Sequence, residues 1–181
     1  MLGYYEWTAL QSLQGWVKIG TAIRSAIALG YTHLDVDKEG QAVKLKPGEF
    51  RLSEKDQFIR SETERRTFWS CCLIDSYLSW GEDRPSMLTA KHYKRTQLPC
   101  SDGAFNYGRK CRTRLLIEDD AAYTKRREDW DRCHNEKNGV THASDAGKWE
   151  VGEHEAELTW YIKVVVLFGE VVEWSCKKGR R

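Results

Sequence analysis

The stretch that decides the fold is ETERRTFWSCCLIDSYLSW, residues 62–80. Its large apolar side chains recur at steps of three and four residues, which is typical of an amphipathic helix. Ser61 and Glu64 match the capping box that satisfies free N–H groups at a helix start, and Gly81 suits a helix end. We therefore predict a helix over residues 62–80. It has two adjacent stripes, one with Phe68, Cys72, Asp75 and Ser79, the other with Trp69, Leu73, Tyr77 and Trp80.

Helical spacing continues on both sides of this stretch. Residues 4–29 predict a helix ending before Gly30, and Gly15 predicts a break after a first short helix, Tyr4–Leu13, because an interior glycine costs about 1 kcal/mol. Residues 153–177 predict another helix: Val164–Val166 alone favours a strand, but the length of the pattern favours a helix. The fold class that follows is all-α, an irregular multi-helix domain.

The remaining segments are more polar. Residues 31–52 contain the aspartates, glycines and proline of a connector. Residues 101–150 hold ten basic and ten acidic residues, which predicts an exposed helix over Leu115–Trp130 and a flexible loop over Asn135–Gly147. We divide the chain into a helical core, 1–100, a charged and partly flexible insert, 101–150, and a continuing helix, 151–181.

Composition excludes several classes of protein. Of the 181 residues, 40% are hydrophobic, which is enough for a core and excludes wholesale disorder. The net charge of +2 is too small for a general nucleic-acid or anionic-membrane binder. The longest apolar run, Val164–Gly169, is far shorter than the ~20 residues of a membrane span. With no signal-peptide pattern at the start, we expect an intracellular protein without a membrane partner.

Two groups of residues suggest metal binding, and neither has the right spacing. Glu118-Asp119-Asp120 is similar to the aspartate-rich motif of terpene synthases, but three consecutive carboxylates point to different faces of a helix. A charged helix start is therefore the better interpretation. The second group has zinc-binding atoms without zinc-site spacing, and none of the six cysteines forms C-x2-C. Its members are Cys133, His134, His142 and His154. We expect no metal and no cofactor in this chain, with the cysteines as small buried hydrophobes.

Evidence for catalysis is also weak. His33, Asp35 and Asp37 could form an acid–base cluster, but no nucleophile accompanies them, and a surface turn is the better interpretation. G-x-S-x-G, P-loop and dinucleotide motifs are absent from the sequence. Three short basic clusters are compatible with solvated surface, a weak nuclear-import signal or phosphate contact. They are Lys91–Arg95, Arg109–Arg114 and Lys177–Arg181.

Two segments together carry a family resemblance. WVKIGTAIRSAIALGY, residues 16–31, and ETERRTFWSCCLIDSYLSWGEDRPSML, residues 62–88, resemble in order and spacing the regulatory, or middle-homology, domain of fungal zinc-cluster transcription factors. The matching residues are Gly20, Ala22, Arg24, Ala26, Leu29, Gly30, Glu62, Arg65, Arg66, Phe68, Trp69, Asp75, Arg84 and Pro85, with Leu98-Pro99 beyond them.

The resemblance implies a regulatory domain, or a fragment of one, that acts in the nucleus in the control of transcription. Asp83 stands where the family has a glycine, and residues 101–150 have no clear counterpart. The six-cysteine zinc cluster of the family is absent, so zinc and DNA binding are expected only in a missing part of the parent protein. The chain is then expected to be an incomplete portion of a larger helical domain. The implied partners are transcription machinery or regulatory proteins, and a small-molecule effector and a homodimer stay open.

The residues themselves favour a structural interpretation of this motif. An arginine–aspartate pair involving Arg65, Arg66 and Asp75, or an arginine capping carbonyls, would fix helix packing. Phe68 and Trp69 are expected in the core, and Arg84-Pro85 would set the angle at which the chain leaves the helix. No ligand-binding residue is assigned.

Two other functions stay open. One is a free-standing α-helical small-molecule-binding module with a tryptophan-lined pocket. The other, less favoured, is an isoprenoid-type enzyme that depends on Asp119 and Asp120. For the isolated chain we expect low stability or oligomerisation.

Overall fold

The computed structural model of the chain describes residues 12–35, 52–79, 85–93, 95–138, 148–151 and 155–178. These residues form six α-helices, one 3-10 turn at Tyr31–His33 and two strands of two residues each. The helices are α1 Ser12–Ala28, α2 Glu54–Leu78, α3 Ala90–Tyr93, α4 Asp102–Tyr107, α5 Asp120–Asn138 and α6 Glu157–Lys178. The strands, β1 Cys111–Arg112 and β2 Lys148–Trp149, pair in parallel. The all-α prediction is confirmed.

Helix α2 is the centre of the described structure, and α1 and α6 both pack against it. Trp69 is fully buried, with its ring edge-on to Phe68 at 5.4 Å and stacked on Tyr93 at 5.9 Å between centroids. The core joins three helices and the chain between them. Its members are Ile19, Ile23, Phe68, Trp69, Cys72, Leu78, Leu88, Tyr93, Leu98 and Ile162.

Helix α2 begins eight residues earlier than predicted, so the capping box at Ser61 and Glu64 is wrong. The N-cap is Ser53, whose Oγ accepts from the Asp56 amide at 3.1 Å. Ser61 lies inside the helix, and Glu64 accepts from exposed Arg60 instead. The first turn of α2 is exposed, and the second adds only Phe58 and Ile59, so periodicity alone could not detect this part of the helix. The helix ends at Leu78; Trp80 and Gly81 lie outside the described residues.

Helix α1 includes Gly15, so the predicted break at this residue is wrong. The cost of one glycine, about 1 kcal/mol, is not enough to interrupt the helix. The predicted first helix, Tyr4–Leu13, lies mostly outside the described residues. Gly30 follows α1 with φ of 80°, a left-handed conformation that favours glycine. The predicted connector begins in the 3-10 turn, and its residues 36–51 lie outside the described part of the chain.

The helix expected over Leu115–Trp130 is α5, which is shifted toward the C-terminus and ends at Asn138. The flexible loop predicted over Asn135–Gly147 is therefore wrong for residues 135–138, which are helical. Residues 139–147 lie outside the described part of the chain. The helix expected over 153–177 is confirmed as α6, with Val164–Val166 helical. The division of the chain at 100 and 150 stays a prediction. No helix among the described residues is both long and apolar enough to cross a membrane.

Candidate functional site

The site is built on one face of α2, where family-motif residues Glu62, Arg65 and Arg66 lie within one turn. Glu62 is fully buried. Its carboxylate accepts from Arg65 Nη1, from Arg66 Nε at 3.2 Å and from the Cys100 amide at 2.9 Å. A buried carboxylate is tolerated only when it is paired and hydrogen-bonded. Two guanidiniums and one backbone N–H meet that requirement here.

Arg65 joins α2 to the end of the 3-10 turn. Its Nη2 donates to Asp35 Oδ1 at 2.5 Å and its Nε to Asp35 Oδ2 at 3.3 Å. Burial alone would lower the pKa of Arg65, but the carboxylates of Asp35 and Glu62 outweigh burial and raise it. Arg65 is thus a permanent cation held between two carboxylates.

Arg66 reaches the opposite side of the site. Its Nη1 donates to Asp102 Oδ1 at 2.8 Å and its Nη2 to the Cys100 carbonyl at 2.9 Å. The guanidinium also lies 4.4 Å from the centroid of the Phe105 ring. Burial lowers the pKa of Arg66, and its hydrogen bonds to Asp102 and Glu62 reverse that effect and raise it. Arg66 therefore caps a backbone carbonyl, which is one of the two structural roles that the sequence suggested for the arginines of the motif.

Glu62 and Arg66 bond to the same piece of chain, Thr96–Ser101, which we name the clamped segment, and Arg65 reaches it through Asp35. Trp69 Nε1 donates to the Gln97 carbonyl at 2.7 Å, and Asp35 Oδ2 accepts from the Gln97 amide at 2.7 Å. Thr159 of α6 donates to the Pro99 carbonyl at 3.0 Å. The Ser101 amide donates to Glu150 at 2.6 Å. The clamped segment is therefore a junction between the 3-10 turn, α2, α6 and the end of β2.

A second buried carboxylate, Asp75, lies further along α2 and is 2% exposed. Its Oδ2 accepts from the Ser86 hydroxyl at 2.6 Å and from the amides of Met87 and Leu88 at 2.9 Å each. The predicted arginine–aspartate pair within the motif is thus formed with Asp35 rather than with Asp75. Asp75 instead fixes the loop that follows α2.

Some family-motif residues that the structure describes lie outside this network. Phe68 is in the core, as expected. Gly20 is buried, and a Cβ there would lie 3.2 Å from Met87 Sδ. Arg24 and Pro85 are exposed, and Arg84 is outside the described residues.

The acidic triplet does not converge on one point. Glu118 accepts from Arg126 Nε at 2.6 Å, Asp119 accepts from the Ala122 amide at 2.7 Å, and Asp120 pairs with Arg114 at 2.8 Å. Across the described ranges, no three His, Cys, Asp or Glu side chains are grouped to hold a metal ion. The side chains of Cys133, His134, His142 and His154 are outside what the structure describes.

The surface-turn interpretation of His33 and Asp35 is wrong for Asp35. Its carboxylate lies against Arg65 and is 12% exposed, because a buried guanidinium requires a counter-charge. His33 Nδ1 pairs with Thr32 Oγ1 at 2.6 Å instead, and Asp37 is outside the described residues. The sequence did contain a signal for this ion pair. Arg65 lies on the same helix face as Phe68 and Trp69, and a cation on a buried face needs a negatively charged partner.

Of the four cysteines whose side chains the structure describes, two match the expectation of small buried hydrophobes and two do not. Cys72 and Cys100 are buried, while Cys71 and Cys111 are half-buried, and all four are free. Burial raises the pKa of Cys72. The pKa of Cys100 is also raised; the largest cause is its hydrogen bond with Cys111, and the next is burial. These thiols are poor nucleophiles.

Comparison with known proteins shows the family of the chain. The family described as "Fungal specific transcription factor domain" matches residues 1–139, a range that includes α1 to α5. The Zn(2)-C6 fungal-type transcription factor FTF1c of Fusarium oxysporum f. sp. lycopersici is 33% identical over 64% of this chain and 12% of its own length. FTF1a and FTF2 of the same fungus are 37% and 36% identical, each over 49% of this chain and 8% of their own lengths.

The chain spans about a tenth of the length of these curated relatives. No solved structure matches it. With more than half of the chain matched, the protein belongs to the fungal specific transcription factor domain family.

Proposed function

We propose that this chain restrains transcriptional activation as an internal regulatory domain of a longer zinc-cluster factor, and that the clamped segment is its control point. The observation that carries the proposal is that Glu62 and Arg66 bond to the clamped segment directly, while Arg65 bonds to Asp35, which in turn accepts from the Gln97 amide. Such residues set the packing of a scaffold. An effector or partner that binds one arrangement of the junction better than another would then shift the population between them.

The experiment is a reporter assay with the full chain placed between a heterologous DNA-binding domain and an activation domain. We expect lower reporter output than from a fusion with a flexible linker of equal length. Arg66→Ala removes the bond to the Cys100 carbonyl and should raise output toward the linker value. Arg60→Ala, on an exposed pair of the same helix, is the matched control and should leave output low. Equal output from all fusions at equal protein levels would contradict the proposal.

We further propose that the parent protein works in the nucleus and contacts DNA through a zinc cluster outside this chain. Relatives of this chain are described as Zn(2)-C6 fungal-type transcription factors, whereas the sequence here has no C-x2-C pair. The proposed partners are regulatory proteins of transcription, with a small-molecule effector as an alternative ligand. A fluorescent fusion of the parent protein should accumulate in the nucleus, and exclusion from the nucleus would contradict this proposal.

A further inference from the structure

We propose that Cys100 and Cys111 are an oxidation site, at which a hydroperoxide converts the two thiols to a reversible disulfide that joins the clamped segment to β1. Cys100 belongs to the clamped segment, and Cys111 is the first residue of β1. Both thiols are free in the structure. The inference is independent of the proposed regulatory role, because it concerns only the chemistry of these two side chains.

The fold brings the two cysteines together across the short helix α4. An antiparallel bridge joins Gln97 to Leu115, and the amide of the residue after Gln97 donates to the carbonyl of the residue before Leu115 at 2.8 Å. Because the two segments run in opposite directions, the chain that follows Gln97 lies alongside the chain that precedes Leu115. Cys100 and Cys111 meet there, and their thiols are hydrogen-bonded to each other.

The backbone holds both cysteines in place. The Cys100 amide donates to Glu62 at 2.9 Å, and the Cys100 carbonyl accepts from Arg66 at 2.9 Å. Cys111 is paired with Lys148 in the two-stranded sheet. A disulfide forms only where the two side chains already face each other at short range. Reactive groups that are held in contact also react far faster than groups that must first find each other.

The two thiols differ in their access to solvent, which assigns their roles. Cys100 is 1% exposed, whereas Cys111 is half-buried. The hydrogen bond with Cys111, burial and the carboxylate of Glu62 together raise the pKa of Cys100, so Cys100 stays protonated in the reduced chain. An oxidant that arrives from solution therefore reacts with Cys111 first, and Cys100 is the resolving thiol.

The reaction consumes one hydroperoxide per chain. The sulfur of Cys111 attacks an oxygen of the hydroperoxide, and the O–O bond breaks. Cys111 becomes a sulfenic acid, and its proton leaves with the other oxygen as an alcohol or water. The sulfur of Cys100 then attacks the sulfur of Cys111, the S–O bond breaks, and the released hydroxide takes the Cys100 proton as water. Two electrons have passed from the two thiols to the peroxide.

Helix α2 contains a second pair of thiols with the same burial but a different geometry. Cys72 is buried and Cys71 is half-buried. Consecutive residues of a helix do not face each other, so these two thiols cannot be joined without unwinding α2. Burial alone therefore does not select a disulfide, and Cys71 provides a matched control for Cys111.

The first test is disulfide mapping of the full, reduced 181-residue chain after one molar equivalent of hydrogen peroxide. Free thiols are blocked with N-ethylmaleimide, and trypsin then separates residues 96–109 from residues 111–112. Mass spectrometry should find these two peptides linked, and dithiothreitol should release them. Cys71→Ser should form the same link, whereas Cys111→Ser should oxidise Cys100 at least ~10-fold more slowly. Far-UV circular dichroism should report wild-type helix content for both variants.

Two results of the mapping would overturn the proposal. One is a folded wild-type chain in which this link does not form or in which other cysteines are linked instead. The other is a sulfenic or sulfinic acid that persists on Cys111 while Cys100 stays a free thiol.

A second test needs no variant. Because the two thiols are already in contact, the disulfide should shift the urea midpoint of the wild-type chain upward relative to the reduced chain. A lower midpoint after oxidation would mean that the bond distorts the junction, and would contradict a site that is built for it.

Discussion

Glu62 illustrates at the residue scale how a buried charge can specify packing. Its carboxylate has no exposed surface, and it joins two arginines of its own helix to the clamped segment. Removing the negative charge would leave Arg65 and Arg66 with one carboxylate partner fewer while both stay charged. The cost of breaking a buried pair greatly exceeds that of losing an exposed one.

We therefore expect Glu62→Gln to lower the free energy of unfolding by about 3 kcal/mol, measured by urea denaturation. Glu64→Gln is the matched control, since its partner Arg60 is 70% exposed, and it should change stability by less than about 0.5 kcal/mol. Similar losses in both variants would mean that the Glu62 network does not stabilise the fold.

Asp75→Ala tests the second buried carboxylate. It leaves the amides of Met87 and Leu88 without their acceptor, so we expect a loss of about 3 kcal/mol in the same assay. Asp129→Ala, in an exposed pair with Arg132, should fall within about 0.5 kcal/mol of wild type. A wild-type midpoint for Asp75→Ala would show that water replaces the carboxylate at no cost.

At this scale the sequence predicted that Phe68 and Trp69 lie in the core, but not what the charged residues contact. Phe68 and Trp69 could be assigned to the core because helical periodicity reports burial directly. The partner of Arg65 could not be assigned, because Asp35 is thirty residues away in a turn and spacing carries no information about such contacts. Asp75 was sought as an arginine partner, whereas it binds backbone N–H groups that no residue pattern records.

At the scale of elements, existence was predicted better than boundaries. Helices α1, α2 and α6 follow from their apolar stripes. The start of α2 was missed because its first two turns contain only two apolar residues, Phe58 and Ile59, so the cap at Ser53 is the main signal for it. Helix α5 was placed too early for the same reason, since its charged sequence has almost no apolar face.

The start of α2 can be tested with two serines. Ser53→Ala removes the oxygen that accepts from the Asp56 amide, and we expect a loss of about 1 kcal/mol in thermal or urea unfolding. Ser61→Ala replaces a residue inside the helix and should be neutral or slightly stabilising, because alanine has the higher helix propensity. A larger loss of stability in Ser61→Ala than in Ser53→Ala would instead support a helix that begins after Ser61.

At the scale of the whole molecule, the core is shared by α1, α2 and α6 and should unfold as one unit. Ile162 of α6 is fully buried in that core. We expect Ile162→Ala to cost about 3–4 kcal/mol and to shift the transitions of helix content and of tryptophan fluorescence together. Val17→Ala, at a position 53% exposed, is the control and should change stability by under about 0.5 kcal/mol. Separate transitions for the two signals would mean that the helices unfold independently.

The clamped segment has no helical structure, yet we expect it to be held as firmly as the helices around it. The amides of Gln97, Leu98, Cys100 and Ser101 donate to Asp35, the Arg114 carbonyl, Glu62 and Glu150. Hydrogen–deuterium exchange of the full chain measures how firmly each of these amides is held. We expect them to be protected as strongly as the centre of α2; exchange as fast as that of an exposed loop would show that the segment is not held.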